Sequence, residues 1–157
     1  MIFFFKIIIT TIFLHIYLLA HCQIPCGVYN DALRILQIKE DLKTIDKSMK
    51  SIIELSDKSD PKSFNQNNRW ITTKEVHAQN IQDIVSEYFL TQRIKQSSKN
   101  YKNELITLHQ LLVSVMKCKQ NVNKEFVKKS NELVDSFSEL YFDDHGLKHL
   151  KNLQELQ

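Results

Sequence analysis

Between Ile35 and Ile52 the apolar residues fall at alternating steps of three and four: Ile35, Ile38, Leu42, Ile45, Met49 and Ile52. Such steps line one side of an α-helix; a strand, with its period of two, would scatter them over both faces. Lys39, Glu40, Asp41, Lys43, Asp46 and Lys47 occupy the other faces, so the helix has a narrow apolar seam that only partner helices can cover. Asp31 is a reasonable N-cap for it, and Ser56-Asp57-Lys58-Ser59-Asp60-Pro61 should stop it, being a run of turn formers and helix breakers. At 1.5 Å per residue, about 25 residues make a helix roughly 37 Å long.

The rest of the chain repeats the theme. Two glycines and two prolines in 157 residues supply few tight turns, which disfavours strand-rich folds. A second helix is expected from about Arg69, with a seam of Thr73, His77, Ile81, Ile84 and Tyr88, flanked by Trp70, Val85 and Phe89. After a break at Gln96-Ser97-Ser98, a third carries Tyr101, Leu105, Leu108, Leu112 and Val115. A fourth, capped by Asn123, carries Phe126, Leu133, Phe137 and Leu140 and ends at Asp143-Asp144-His145-Gly146. Leu147, Leu150, Leu153 and Leu156 then give the tail an exposed leucine stripe. The expected fold is all-α, an up-and-down four-helix bundle with an irregular N-terminal metal-binding hook. That stripe and the surplus aromatics Trp70, Tyr88, Phe89, Tyr141 and Phe142 leave apolar surface that self-association could cover. The net charge is only +3, with basic and acidic residues interleaved, which argues against a nucleic-acid partner.

The first twenty residues differ in kind. Lys6 is followed by the mostly apolar run Ile7 to Leu19 and by the small residue Ala20. This is the anatomy of a secretory signal peptide, cut between Ala20 and His21. An uncleaved anchor is the alternative, but Lys6 and His15 interrupt the run and no basic stop-transfer cluster follows. The expected division is therefore a cleaved leader over 1–20, a hook over 21–30, and the bundle with its C-terminal tail over 31–157. Membrane contact is expected only transiently, through the leader. The mature protein would be secreted or lumenal, or alternatively sent to an organelle.

His21-Cys22-Gln23-Ile24-Pro25-Cys26-Gly27-Val28-Tyr29 follows the cut and holds two of the three cysteines. Once His21 is the first residue it offers an imidazole and a free α-amine, whose pKa near 7.7–8.0 lets a metal displace the proton at neutral pH. The His21 amine, the Cys22 amide and the Cys22 thiolate can close two fused five-membered chelate rings on one ion. Cys26 supplies a fourth donor, with Pro25 and Gly27 helping the chain turn back. Two nitrogens and two thiolates in a plane favour Cu(II) or Ni(II) over tetrahedral zinc. Anionic donors of this kind also bring the trivalent state within reach, so one-electron redox chemistry is expected. Two other readings stay open: a plain Cys22–Cys26 disulfide in a secreted helical interaction module, and a metal carrier without turnover.

The nine residues resemble the nickel hook of the nickel-containing superoxide dismutases at His21, Cys22, Pro25, Cys26, Gly27 and Tyr29, and Ser86-Glu87-Tyr88-Phe89 is similar to a segment of that family's second helix. The resemblance implies a nickel ion, one per chain, held by His21, Cys22 and Cys26 and cycling between Ni(III) and Ni(II). It implies superoxide as substrate, dioxygen and hydrogen peroxide as products, and a homohexamer of four-helix bundles. Ile24-Pro25 would be a cis peptide bond. Tyr29 would stand over the open face of the metal, and Tyr88 would approach the same pocket from a neighbouring subunit. Two departures from the pattern are Gln23, where many members have aspartate, and the glutamate that holds the ligand histidine. That glutamate falls at Leu36 or Gln37 by counting, with Glu40 about one turn on.

Further residues have plainer readings. Cys118 is expected as a buried free thiol, and His77 as a hydrogen-bonded core histidine or a group backing the metal. His145 and His149, four apart with no third ligand, are expected in a solvated tail. Lys95, Lys99, Lys102, Lys117, Lys119, Lys124, Lys128 and Lys129 are expected on solvated faces.

Overall fold

In the computed structural model of the chain, which describes residues 30–156, the first helix, α1, spans Asp31–Leu55. The expected leader, cleavage point, cis peptide bond and hook through Tyr29 lie outside the described residues. The seam of α1 faces inward as its spacing dictates: Ile35, Ile38, Leu42, Ile45 and Met49 are buried, while Ile52 is half-buried. The cap is Asn30, one residue before the expected Asp31; its side chain accepts from the Ala32 backbone N–H. Asp31 is thereby the first helical residue and its carboxylate is left for other partners.

The second helix, α2, spans Pro61–Asp83 and starts eight residues earlier than expected. Asp60 accepts from the Lys62 and Ser63 backbone N–H groups, and Pro61 sits in the first turn, where its missing N–H costs nothing. The end of the run expected to stop α1 therefore begins α2, while α1 itself has already ended at Leu55. It continues into a ten-residue π-helical stretch, Ile84–Arg93, closed by an i→i−5 bond from the Ile94 N–H to the Phe89 carbonyl. A π-helix this long is unusual, since most are single-turn bulges.

The third helix, α3, spans Tyr101–Gln120, and the fourth, α4, Glu125–Tyr141. The register of α3 differs from expectation: Leu111, Ser114 and Cys118 are buried with Leu108 and Val115, whereas Leu105 and Leu112 are half-buried at the rim. Asn123 accepts from the Glu125 N–H, just ahead of α4. The tail is a fifth helix, α5, over Asp144–Glu155, begun by Asp143, which accepts from the Gly146 N–H. Gly146 is required there by space, because an added Cβ would lie 2.8 Å from Cδ1 of Phe142. The tail leucines are not an exposed stripe: Leu150 is buried, Leu153 packs against the core, and only Leu156 is largely exposed.

α1 packs on α2 and α4, α3 packs on α4 and α2, and α5 lies on α1. Ion pairs follow the antiparallel register of α1 and α4, with Lys39 on Asp135 at 2.5 Å and Lys124 on Asp46 at 2.9 Å. The result is the expected all-α up-and-down bundle, extended by α5. Buried residues stop at Met49 on α1 and begin at Lys74 on α2, so the hairpin between them runs past the ends of α3 and α4 as a two-helix arm. The buried Lys74 ammonium joins arm to bundle, donating to the Cys118 carbonyl at 2.9 Å, to the Lys119 carbonyl, and to Glu75 at 2.8 Å. Carbonyls at a helix C-terminus lack intrahelical donors, which is why a buried lysine is tolerated there.

The aromatics expected to leave apolar surface mostly cover one another. Phe89 makes edge-to-face contacts with Tyr88, Phe137 and Tyr141 at centroid separations of 5.2, 5.0 and 5.6 Å. Burying a ring such as Phe89 or Phe137 contributes roughly 1.5–3 kcal/mol. Among the described residues no helix is long and apolar enough to cross a membrane.

Candidate metal centre and its root on the bundle

The expected ligands His21, Cys22 and Cys26, and Tyr29, lie outside the described residues, so the structure speaks to what receives them. The chain enters α1 at Asn30 and Asp31, four and five residues beyond Cys26. Both side chains are fully engaged. The Asn30 carboxamide caps α1 through Oδ1 and donates through Nδ2 to His149 Nε2 of α5 at 2.7 Å. The Asp31 carboxylate collects donors from two other elements. Its Oδ1 accepts from the Tyr88 hydroxyl, and its Oδ2 accepts from the Tyr141 hydroxyl at 2.7 Å and from Arg93 through Nη2 at 2.5 Å and Nε at 3.1 Å.

The electrostatics follow from that arrangement. Burial and the hydrogen bond to Asp31 hold the Tyr88 phenol well above its ordinary value. The same two causes push Tyr141 up to about 12. Both hydroxyls are therefore fixed donors at neutral pH. Burial works against the Arg93 charge, but the bonds to Asp31 and Tyr141 more than restore it. The Arg34 and Arg93 guanidinium groups lie 5.3 and 5.9 Å from the centre of the Tyr88 ring. Beside this cluster opens a cleft of about 450 Å³, lined by Asp31, Arg93, Lys95, Glu104 and Tyr141 among others.

Tyr88, expected to approach the metal pocket from a neighbouring subunit, is buried among the described residues and donates through its hydroxyl to Asp31, two residues beyond Tyr29 in the sequence. The positions counted for the missing glutamate do not supply a carboxylate to the interior: Leu36 is in the core, Gln37 is exposed and paired with Arg34, and Glu40 is exposed. The buried carboxylate of that region is Asp41, which meets His77 Nδ1 at 2.5 Å. Burial raises the Asp41 pKa, outweighing the hydrogen bond and attraction of His77. His77 is thus the hydrogen-bonded histidine expected.

The remaining candidates fall as follows. Cys118 is a buried free thiol that burial pushes up to about 11, unsuited to redox chemistry near neutral pH. His145 is exposed on α5, one turn before the half-buried His149. Most of the lysines expected on solvated faces are there; Lys119 is half-buried and bonded to Gln79 and Gln82. The Asp31 cluster was not foreseen, because its partners lie 57 to 110 residues away and no local pattern joins them. Among the described residues no group of three or more His, Cys, Asp or Glu could hold a metal ion. The donor set outside them, an amine, an amide and two thiolates, fits nickel by its chemistry.

Comparison with known proteins bears on the same point. The family model described as nickel-containing superoxide dismutase matches residues 17–145, most of the chain and a span that takes in positions 21–29. Neither the curated proteins nor the solved structures contain a match. The family's members are oxidoreductases that use nickel and act on superoxide, and the chain belongs to the nickel-containing superoxide dismutase family.

Proposed function

We propose that superoxide disproportionation, the activity of its family, is carried in this chain by one nickel ion held at His21, Cys22 and Cys26 after cleavage between Ala20 and His21. The observation that carries this reading is the nine-residue motif His21–Tyr29, standing where removal of the leader exposes the histidine amine and inside the span matched to the family. The nickel ion supplies one-electron exchange between its divalent and trivalent states. One superoxide leaves as dioxygen; a second gains an electron and two protons and leaves as hydrogen peroxide.

The chain's own residues bind and screen. The His21 amine and imidazole, the Cys22 amide and thiolate and the Cys26 thiolate are the ligands. Pro25 and Gly27 turn the hook back on itself, and Tyr29 restricts access to small anions. A homohexamer is the assembly that the family resemblance supports, and export to a secreted or lumenal compartment follows from the leader; an organelle is the alternative.

The test uses the chain beginning at His21. It should bind about one nickel per chain and dismutate superoxide, and acetylation of its α-amine should abolish both. Nickel-free protein whose intact mass is lower by two hydrogens would favour the Cys22–Cys26 disulfide instead. Nickel bound without turnover would mark a carrier.

A further inference from the structure

We infer that Asn30 and Asp31 form a clamp that fixes the root of the hook, with Asp31 as a positioning residue for the nickel site. The inference rests on the reading above. Cleavage makes the hook a chain end, so its only covalent attachment is the step from Tyr29 through Asn30 into α1. How firmly the ligands are presented depends on how firmly that step is held, because freedom left in the hook is lost again on binding.

Three separate elements hold it. α5 grips Asn30 through His149, the π stretch grips Asp31 through Tyr88 and Arg93, and α4 grips it through Tyr141. A helix start needs only a cap, and Asn30 already supplies one. Burial of Ala32 and Ile35 anchors the first turn of α1 in the core. The donors on Asp31 therefore exceed what α1 needs, and they act on the residue where the hook begins.

The π-helical stretch is a second observation in the same direction. Tyr88 and Arg93 are five residues apart; in an α-helix, positions five apart point about 140° away from each other. The wider π turn, with its i→i−5 bonding, brings both side chains onto one carboxylate. The rare geometry thus builds this contact.

The decisive experiment compares nickel-loaded mature wild type with Asp31→Asn and with Met49→Ala, which opens a core cavity toward the other end of the same helix. Nickel loss to excess EDTA and the Ni(III) electron paramagnetic resonance spectrum are recorded beside the melting curve. Asp31→Asn should release nickel about tenfold faster, with a broadened or shifted spectrum. Met49→Ala should melt lower but keep the wild-type release rate and spectrum. If the folded Asp31→Asn protein is too scarce, Tyr141→Phe removes one donor and should speed release about fivefold. Release and spectra in the Asp31 or Tyr141 variant matching Met49→Ala would overturn the clamp while leaving the nickel site standing. A wild type that binds no nickel would overturn the site and the clamp together.

Discussion

Two aspartates on α1, Asp31 and Asp41, stand ten residues or about 15 Å apart and are treated in opposite ways. Asp31 is taken from water with both oxygens filled, by an arginine fork and two phenols. Asp41 is buried more deeply with one oxygen on His77, while Oδ2 has no hydrogen-bond partner among the described residues. A carboxylate rich in donors stabilises the place where it sits; one short of them is a cost tolerated for some other reason. The stronger fastening is at the start of α1, and the weaker lies in the mid-helix contact between α1 and α2.

The largest blow to that comparison is Asp31→Ala. It strips a half-buried arginine of its counter-ion and two phenols of their acceptor, and should cost about 2–3 kcal/mol in urea unfolding, somewhat below a fully buried pair because Arg93 still touches water. A loss no greater than that of an exposed ion pair would mean the cluster is not a fastening. Tyr141→Phe keeps the ring stack on Phe137 and deletes one donor, for a loss of about 1 kcal/mol by the same measurement.

Asp41→Asn should act with the opposite sign and less strongly than the Tyr141 change. The Asp41 pKa is raised on folding, so its charge opposes folding above that raised value. As pH falls through it the folded chain takes up a proton first and the cost fades, vanishing near the ordinary value of 3.8. The variant should accordingly be the more stable at neutral pH, with the two melting curves converging on acidification. A gap that widened toward low pH would show that the charge on Asp41 stabilises the fold. The smallest effect belongs to Lys124→Ala at the exposed pair with Asp46, expected to change stability by less than about 0.5 kcal/mol.

What the sequence made legible was whatever repeats over a few residues. The seam of α1 could be read from Ile35 to Met49 because burial imposes a period; the nickel hook over 21–29 remains a proposal that rests on its spacing. The start of α2 was obscured because Asp60-Pro61 signals both an end and a beginning, and the asparagines after it lowered helix propensity without outweighing the cap. In α3 two apolar stripes one step apart competed, and packing in the bundle buried Leu111 in preference to Leu112. The tail became a helix once Asp143 capped it and Leu150 found the core. The convergence of Tyr88, Arg93 and Tyr141 on Asp31 is a product of tertiary packing, and a single chain read in order has no signal for it.

The central claim is that the site comes into being when the leader is cut away. Edman sequencing of the active, nickel-loaded protein tests it most directly. The account predicts a first cycle of histidine followed by the sequence from Cys22 onward. Full dismutase activity in protein whose first residue lies before His21, with no free histidine amine, would contradict it.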